Sequence, residues 1–435
     1  MPGLMRILFC CEFYAPSVGG VQEVMRQLAE RLVVRGHHVT VATTRLLGRK
    51  FETLNGVNIK EFDVSGNLVS GMKGEIERYQ EYVVTGGFDI VMIKAAQQWT
   101  FDALWPVLDE IKFPKVFIPC GFAGLYQPAY AKYFQEMPEI LTRFSHLIFY
   151  ASKYRDIDFA RQHGIENFSV IPNGASEIEF CVNADPTFRV SHDISEQSFV
   201  FLTVGSFTGL KGHLELVKAF DLMELDAGRD ATLILNGNDC AVSKRSISEL
   251  FRKFIGSVRT YGIQNTFKPM LNGVLQKFGF KAGLNAELDK LASYVNESLS
   301  NKHVLLTNFT RPELIQAYLA ADLFVFASNI EYSPLVLFEA AAAATPFLTV
   351  DVGNSAEIAQ WTGAGVVCPS IVDAKGYTRV DEVVLARTMA ALMQNEEKLD
   401  ELGAAGRFNW SERYTWAHIV VQYEQLFSQL VNRKV

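Results

Sequence analysis

Short apolar runs alternate with helix-patterned stretches along most of this chain, and that alternation constrains its fold more than any other feature. Arg6 to Cys11 reads as an apolar strand. Val21, Val24, Leu28 and Leu32 recur at helical spacing, Gly36 closes that helix, and His38 to Thr43 is the next strand. Further apolar runs lie at Asp89 to Ile93, Lys115 to Pro119, His146 to Tyr150 and Phe168 to Ile171, with helical patterns between them. A second series follows at Phe199 to Val204, Ala231 to Asn236, His303 to Leu306, Leu323 to Ala327, Phe347 to Asp351 and Gly365 to Cys368. Strands separated by helices predict α/β units with parallel strands covered on both faces.

The chain has 435 residues, too many for one ordinary core, and the two series predict two doubly wound domains. Residues 1–180 form the first domain, 181–197 a polar linker containing Asp185-Pro186, and 198–411 the second domain. An amphipathic helix within 412–435 is expected to pack back on the first. Ligands of such sheets bind beyond the C-terminal ends of the strands, here expected in a cleft between the domains. A net charge of −7 argues against nucleic acid as a main partner. The six cysteines are scattered without a Cys-x-x-Cys pair, which predicts reduced thiols in a cytoplasmic protein and neither a disulfide framework nor a zinc site. The apolar stretch Ile7 to Cys11 runs into Glu12 and is too short for a signal peptide. No run reaches the roughly 20 apolar residues of a membrane span.

The strongest functional signal is Glu331-Tyr332-Ser333-Pro334-Leu335-Val336-Leu337-Phe338-Glu339. An apolar strand precedes it, Ser333 suits an N-cap and Pro334 the first helical position. Backbone N–H groups at such a helix start converge on one spot and favour a phosphate. Glu331 and Glu339 could accept hydrogen bonds from sugar hydroxyls. Gly19-Gly20, after the first strand, opens a helix and allows close approach of a ligand, or simply makes a tight turn. It is not the Gly-x-Gly-x-x-Gly of a dinucleotide site, which disfavours a dehydrogenase. Gly205-Ser206-Phe207-Thr208-Gly209-Leu210-Lys211-Gly212 also links a strand to a helix, and Lys211 could neutralise a phosphate there. Asp156-Ile157-Asp158 reads as a solvated helix face, since residues two apart point different ways.

Taken together, these segments resemble retaining glycosyltransferases of family 4. The resemblance also takes in Ile171-Pro172-Asn173-Gly174 and Gly353-Asn354-Ser355-Ala356-Glu357, and it covers nearly the whole chain. It implies the GT-B fold: two Rossmann-like domains, the second holding a nucleotide-diphosphate sugar such as a UDP- or GDP-sugar, with no metal and no other cofactor. Gly205, Ser206, Lys211, Asn236, Ser333, Leu335, Val336 and Glu339 would bind the donor, with Glu331 near its sugar and Glu339 on its ribose. Gly19 and Gly20 would form an acceptor or phosphate loop. Glu331, Lys211 and Cys120 are the catalytic candidates.

Three departures stand out. Ser206 replaces a frequent Arg, Cys120 a frequent His, and Tyr332 a frequent Gly, where it would narrow the donor pocket or stack on a neighbour. Cys120 reads either as a site residue or as a small buried thiol beside a Gly turn. Residues 240–302 form an insert with ten Lys/Arg against four Asp/Glu, read as a packed helical pair or as a peripheral contact with an anionic membrane or lipid-linked acceptor. The expected function is sugar transfer to a glycan or lipid-linked acceptor, in cell-surface polysaccharide or glycoconjugate biosynthesis, in the cytoplasm or at the inner face of its membrane. A non-catalytic nucleotide-sugar-binding subunit and a GT-B epimerase are the alternatives.

Overall fold

A computed structural model of the chain describes residues 3–237 and 286–433. It divides into two compact units. The first comprises the chain up to Cys181, Tyr332–Ala342 and the chain from Phe408 onward; the second comprises Val182–Glu331 and Ala343–Arg407. The block Tyr332–Ala342, read from the sequence as part of the second domain, thus groups with the first unit.

The first unit is built on an eight-stranded sheet. In chain order its strands are β1 (Arg6–Cys10), β2 (His38–Thr44), β3 (Thr53–Leu54), β4 (Val57–Phe62), then β7 (Ile90–Lys94), β8 (Lys115–Ile118), β9 (His146–Phe149) and β10 (Phe168–Val170). The pairs β5 (Val64–Ser65) and β6 (Lys73–Gly74) form a separate two-stranded ribbon. The order across the large sheet is β10-β9-β8-β7-β1-β2-β4-β3, parallel except for the β3–β4 pair. Side chains alternate across a strand, so Leu8 and Cys10 enter one core while Ile7, Phe9 and Cys11 enter another on the opposite face.

That second core is closed by the helix Gly20–Val34, through Val24, Leu28 and Leu32, and by Trp416–Asn432, through Ile419, Tyr423, Phe427 and Leu430. Full burial of each such side chain contributes about 1.5–3 kcal/mol. The C-terminal helix is pinned further by Glu424, which pairs with Arg35 and lies 2.8 Å from buried His37 Nε2.

The second unit carries a six-stranded, wholly parallel sheet of β11 (Phe199–Val204), β12 (Ala231–Asn236), β13 (Lys302–Thr307), β14 (Leu323–Phe326), β15 (Phe347–Val350) and β16 (Gly365–Cys368). Its order is β13-β12-β11-β14-β15-β16, with a small antiparallel pair, β17 (Ser370–Val372) and β18 (Thr378–Val380), beside it. Strand order reverses between β11 and β14, the switch point where such sheets place ligands. The segment read as a linker is fastened to this unit. Arg189 Nη2 donates to Ala320 O and Asp322, and Gln316 bonds both Asp185 N and Asn183 O.

Of the insert 240–302, residues 240–285 lie outside the described residues; a helix spans 286–298. The apolar stripe from Ile247 to Val258 is among the residues not described. No helix among the described residues is long and apolar enough to cross a membrane. The five described cysteines are free.

Candidate functional site

In the second unit the loop after β11 is held against the loop after β14 by backbone contacts. Asn329 N donates to Leu210 O at 3.0 Å, and Ser328 Oγ to the same carbonyl at 3.2 Å. Gly212 caps the helix His213–Leu222 with φ +70°, and a Cβ there would sit on the Ala327 carbonyl. Only glycine suits that position. This registration brings Lys211 Nζ onto the Glu331 carboxylate. The two candidates, 120 residues apart in sequence, therefore meet.

A Cβ on Gly205 would lie 3.2 Å from Lys211 Cγ, so the glycine gives the lysine stem its path. Behind it, burial and the Lys211 charge push the His213 imidazole down to about 4, which keeps it neutral. Its ring packs on Phe207 with centroids 5.0 Å apart. Phe207, Gly237, Asp289, Thr307 and Asn308 line a cavity of about 300 Å³ beyond the C-terminal ends of β11, β12 and β13. Asn236 is buried, and its Oδ1 accepts from Phe309 N at 2.7 Å and Thr307 Oγ1 at 3.1 Å. Its side chain thus braces the rim of that cavity. Ser206 lies in the same loop, with its carbonyl accepting from Thr208 N at 2.7 Å.

In the first unit the helix begins at Leu335, one residue later than the sequence suggests. Ser333 is not its cap: Asn173 Nδ2 donates to Ser333 Oγ at 3.1 Å and to its carbonyl at 3.2 Å. Leu335 packs against the core, Val336 is half-buried, and Glu339 is buried on the same helix. Tyr332 packs at a tilt against two neighbouring rings. Its ring lies 4.9 Å from Tyr154 and 5.7 Å from Tyr150, and its hydroxyl accepts from Tyr150 N at 3.0 Å.

Asp156 overturns the reading of a solvated face. It is fully buried, accepts from Gly121 N at 2.8 Å and Ile157 N at 2.9 Å, and is hydrogen-bonded by the Tyr332 hydroxyl. Burial lifts its carboxyl to about 6. Asp158 alone meets the surface expectation, pairing with Arg161.

Cys120, two residues beyond β8, lies in the left-handed region (φ +59°), followed by Gly121 at +84° and Phe122 at +46°. Ala95 (+70°) and Gln97 (+64°) do the same after neighbouring β7. Non-glycine residues held in this way cost on the order of 1–3 kcal/mol each and concentrate at functional sites. Burial pushes the Cys120 thiol up to about 11, although Lys94 opposes the rise, so the thiol is protonated at neutral pH.

Lys94 is itself buried, donates to Tyr150 Oη at 2.7 Å, and is lowered to about 8 by burial. A buried lysine with a depressed pKa disfavours folding below pH 8, and the penalty fades between pH 8 and 10.5. Wild-type protein should therefore gain stability over that window relative to Lys94→Met, by on the order of 1–3 kcal/mol. Chemical denaturation of both proteins at several pH values checks it.

Gly19 and Gly20 prove sterically undemanding. Neither lies in the left-handed region, Gly19 being extended; a Cβ on Gly19 meets only the flexible Gln22 side chain, and one on Gly20 meets nothing within 4 Å. Gly20→Ala should leave thermal stability unchanged or raised by up to about 1 kcal/mol. If activity falls tenfold or more in this variant, the open space is where a ligand comes; unchanged activity would remove Gly20 from the site.

Sequence reasoning misread Asp156 and missed Tyr150, Lys94, Asp102 and Glu12. Lys94 and Asp102 each carried a signal: a lone charge closing or interrupting an apolar run. Among the described residues, no three His, Cys, Asp or Glu side chains gather closely enough to hold a metal ion.

Two α/β units with parallel sheets, the second carrying a lysine–carboxylate pair at its switch point, have the GT-B fold. The model of Glycosyltransferase Family 4 matches residues 18–177, and that of glycosyl transferases group 1 matches residues 281–407. The chain is a glycosyltransferase of the family 4 type. It is 32% identical over 111 residues to alpha-maltose-1-phosphate synthase of Mycolicibacterium smegmatis, a match spanning 26% of this chain and 28% of that protein's length.

Among solved structures it resembles sucrose-phosphate synthase of Thermosynechococcus elongatus. The TM-score is 0.68 and the identity 17%, with 99% of this chain and 100% of that one covered. It also resembles Anabaena HepE in complex with UDP and glucose, with a TM-score of 0.65, 16% identity, and 98% and 100% covered.

Proposed function

We propose that the chain transfers a sugar, with retention of configuration, from a nucleotide-diphosphate sugar to a hydroxyl of a glycan or lipid-linked acceptor, without a metal, in the building of cell-surface polysaccharide or glycoconjugate. The observation that carries this reading is the Lys211–Glu331 pair on loops registered at the switch point of the second unit. The UDP and glucose bound in the structurally similar HepE support a nucleotide-sugar donor.

In the proposed step the bond between the anomeric carbon and the diphosphate oxygen breaks, and the acceptor oxygen bonds to that carbon on the same face. The acceptor's proton passes to the departing phosphate. Negative charge gathers on the leaving group, where the Lys211 ammonium can meet it, and a fixed cation in such a position lowers the barrier. Glu331 holds that ammonium in place until the donor arrives and then faces the donor sugar. The cavity beside Phe207 and Gly237 has room for a nucleobase, its rim set by Asn236.

A thermal-shift screen of UDP-, GDP- and ADP-sugars identifies the donor, since a ligand at 100 times its Kd adds about 2.7 kcal/mol. NMR of the product then reads the anomeric configuration, with and without chelator. A product of inverted configuration, or activity abolished by chelation, would contradict the proposal.

A further inference from the structure

Resting on that reading, we infer that the first unit recognises its acceptor through uncharged sugar hydroxyls, with Glu12 and the Gln97 amide as the contacting groups, and discriminates against phosphorylated acceptors. The two residues follow β1 and β7, adjacent parallel strands of one sheet, and so lie at its C-terminal edge.

Gln97 is fixed from several sides. Its N–H donates to Tyr133 Oη at 2.8 Å, its carbonyl accepts from Asn67 Nδ2 at 3.3 Å, and its Oε1 accepts from Gly124 N at 3.0 Å. The Nε2 amide is left with no acceptor among the described residues. Asp102, fully buried, ties this arrangement together by accepting from the Tyr133 hydroxyl at 2.7 Å and from Leu68 N at 2.9 Å. It is a positioning residue. The Gln98 Oε1 is also buried without a partner.

Glu12 is half-buried, and none of the described residues donates a hydrogen bond to its carboxylate. Burial and the charge of Asp102 both raise its pKa. A half-buried carboxylate lacking donors is satisfied by ligand hydroxyls.

Three cations near this edge are already engaged. Arg49, buried, donates to Ala15 O at 2.7 Å, Tyr14 O at 3.0 Å and Thr44 O at 3.1 Å, and pairs with Glu61. Lys94 is buried on Tyr150, and Arg45 pairs with Glu75. Lys153 and Arg155 follow β9, two strands beyond β7 and about 10 Å away across the sheet. An acceptor phosphate at Glu12 would meet that carboxylate, with Arg49, Lys94 and Arg45 committed to other partners. Neutral hydroxyls would find an acceptor in Glu12 and a donor in the Gln97 amide.

Saturation-transfer NMR on the full chain, with UDP present, tests this. The probes are neutral methyl glycosides of glucose, galactose, mannose and N-acetylglucosamine, against glucose 1-phosphate and glucose 6-phosphate. At least one neutral glycoside should bind at least tenfold more tightly than either phosphate. Glu12→Gln should weaken that binding about tenfold while leaving UDP affinity unchanged, and Glu12→Lys should reverse the preference. Tighter binding of the phosphates, no neutral sugar bound, or an unchanged signal in Glu12→Gln would overturn the inference. Failure of UDP, GDP and ADP to bind counts against the donor reading alone, because the two sugar classes can still be compared in nucleotide-free protein.

Discussion

Lys211→Ala is expected to lower kcat/KM for donor consumption about a hundredfold, with little change in stability. The rate effect follows from removing one fixed charge at the point where the leaving group becomes anionic, typically worth about 3 kcal/mol. The small stability effect follows from geometry: both partners of the Lys211–Glu331 pair keep roughly a quarter of their side-chain surface exposed, so solvent screens the pair. Lys211→Arg should recover part of the loss, since it keeps the charge on a wider head group. Steady-state kinetics with the donor found by the thermal screen measures all three proteins. A value within threefold of wild type for the alanine variant would remove Lys211 from the reaction.

Gly212→Ala should act in the opposite way, through the fold. The residue has φ +70° and its missing Cβ leaves room for the Ala327 carbonyl, a backbone atom at the end of β14 that cannot swing aside. Strain at this φ together with the displaced carbonyl should cost about 3 kcal/mol or more. In a unit of this size that is a fall of ~6–12 °C in Tm, read by thermal denaturation. Gly20→Ala is the matched control, a glycine replaced where the structure leaves open space. An unchanged Tm for Gly212→Ala would mean that the Gly205–Gly212 loop does not lie against β14 as described.

The parallel strands were legible because both faces of each are buried, so they read as unbroken apolar runs. β4 was not, for the converse reason. Its sequence, Val57-Asn58-Ile59-Lys60-Glu61-Phe62, lies near the sheet edge and alternates buried with exposed positions until two polar residues break the pattern. The Glu331 loop and Lys211 were recognisable as motifs, yet their contact depends on Gly212 registering one loop on another, a tertiary effect that spacing does not carry.

Asp156 was misread because helical periodicity says only that Asp156 and Asp158 face different ways, not which one is buried. What buries it is the turn at Gly121 and the ring of Tyr332, which come from distant parts of the chain. Ser333 was misread in a similar way, since a serine before a helix can cap it or serve another side chain, and here Asn173 takes it. The acceptor edge was invisible for a different reason. Glu12 and Gln97 belong to no motif, and only the pairing of β1 with β7 brings their loops side by side.

The central claim is that the second unit binds a nucleotide diphosphate through Lys211. Isothermal titration of UDP, GDP and ADP into the wild-type chain and Lys211→Ala tests it most directly. One nucleotide should bind the wild type with a Kd at least tenfold lower than it binds the variant, the loss lying in the diphosphate because the corresponding nucleoside binds both proteins equally. Equal affinity of that nucleotide for both proteins, or binding of none of the three to the wild type, would contradict the account.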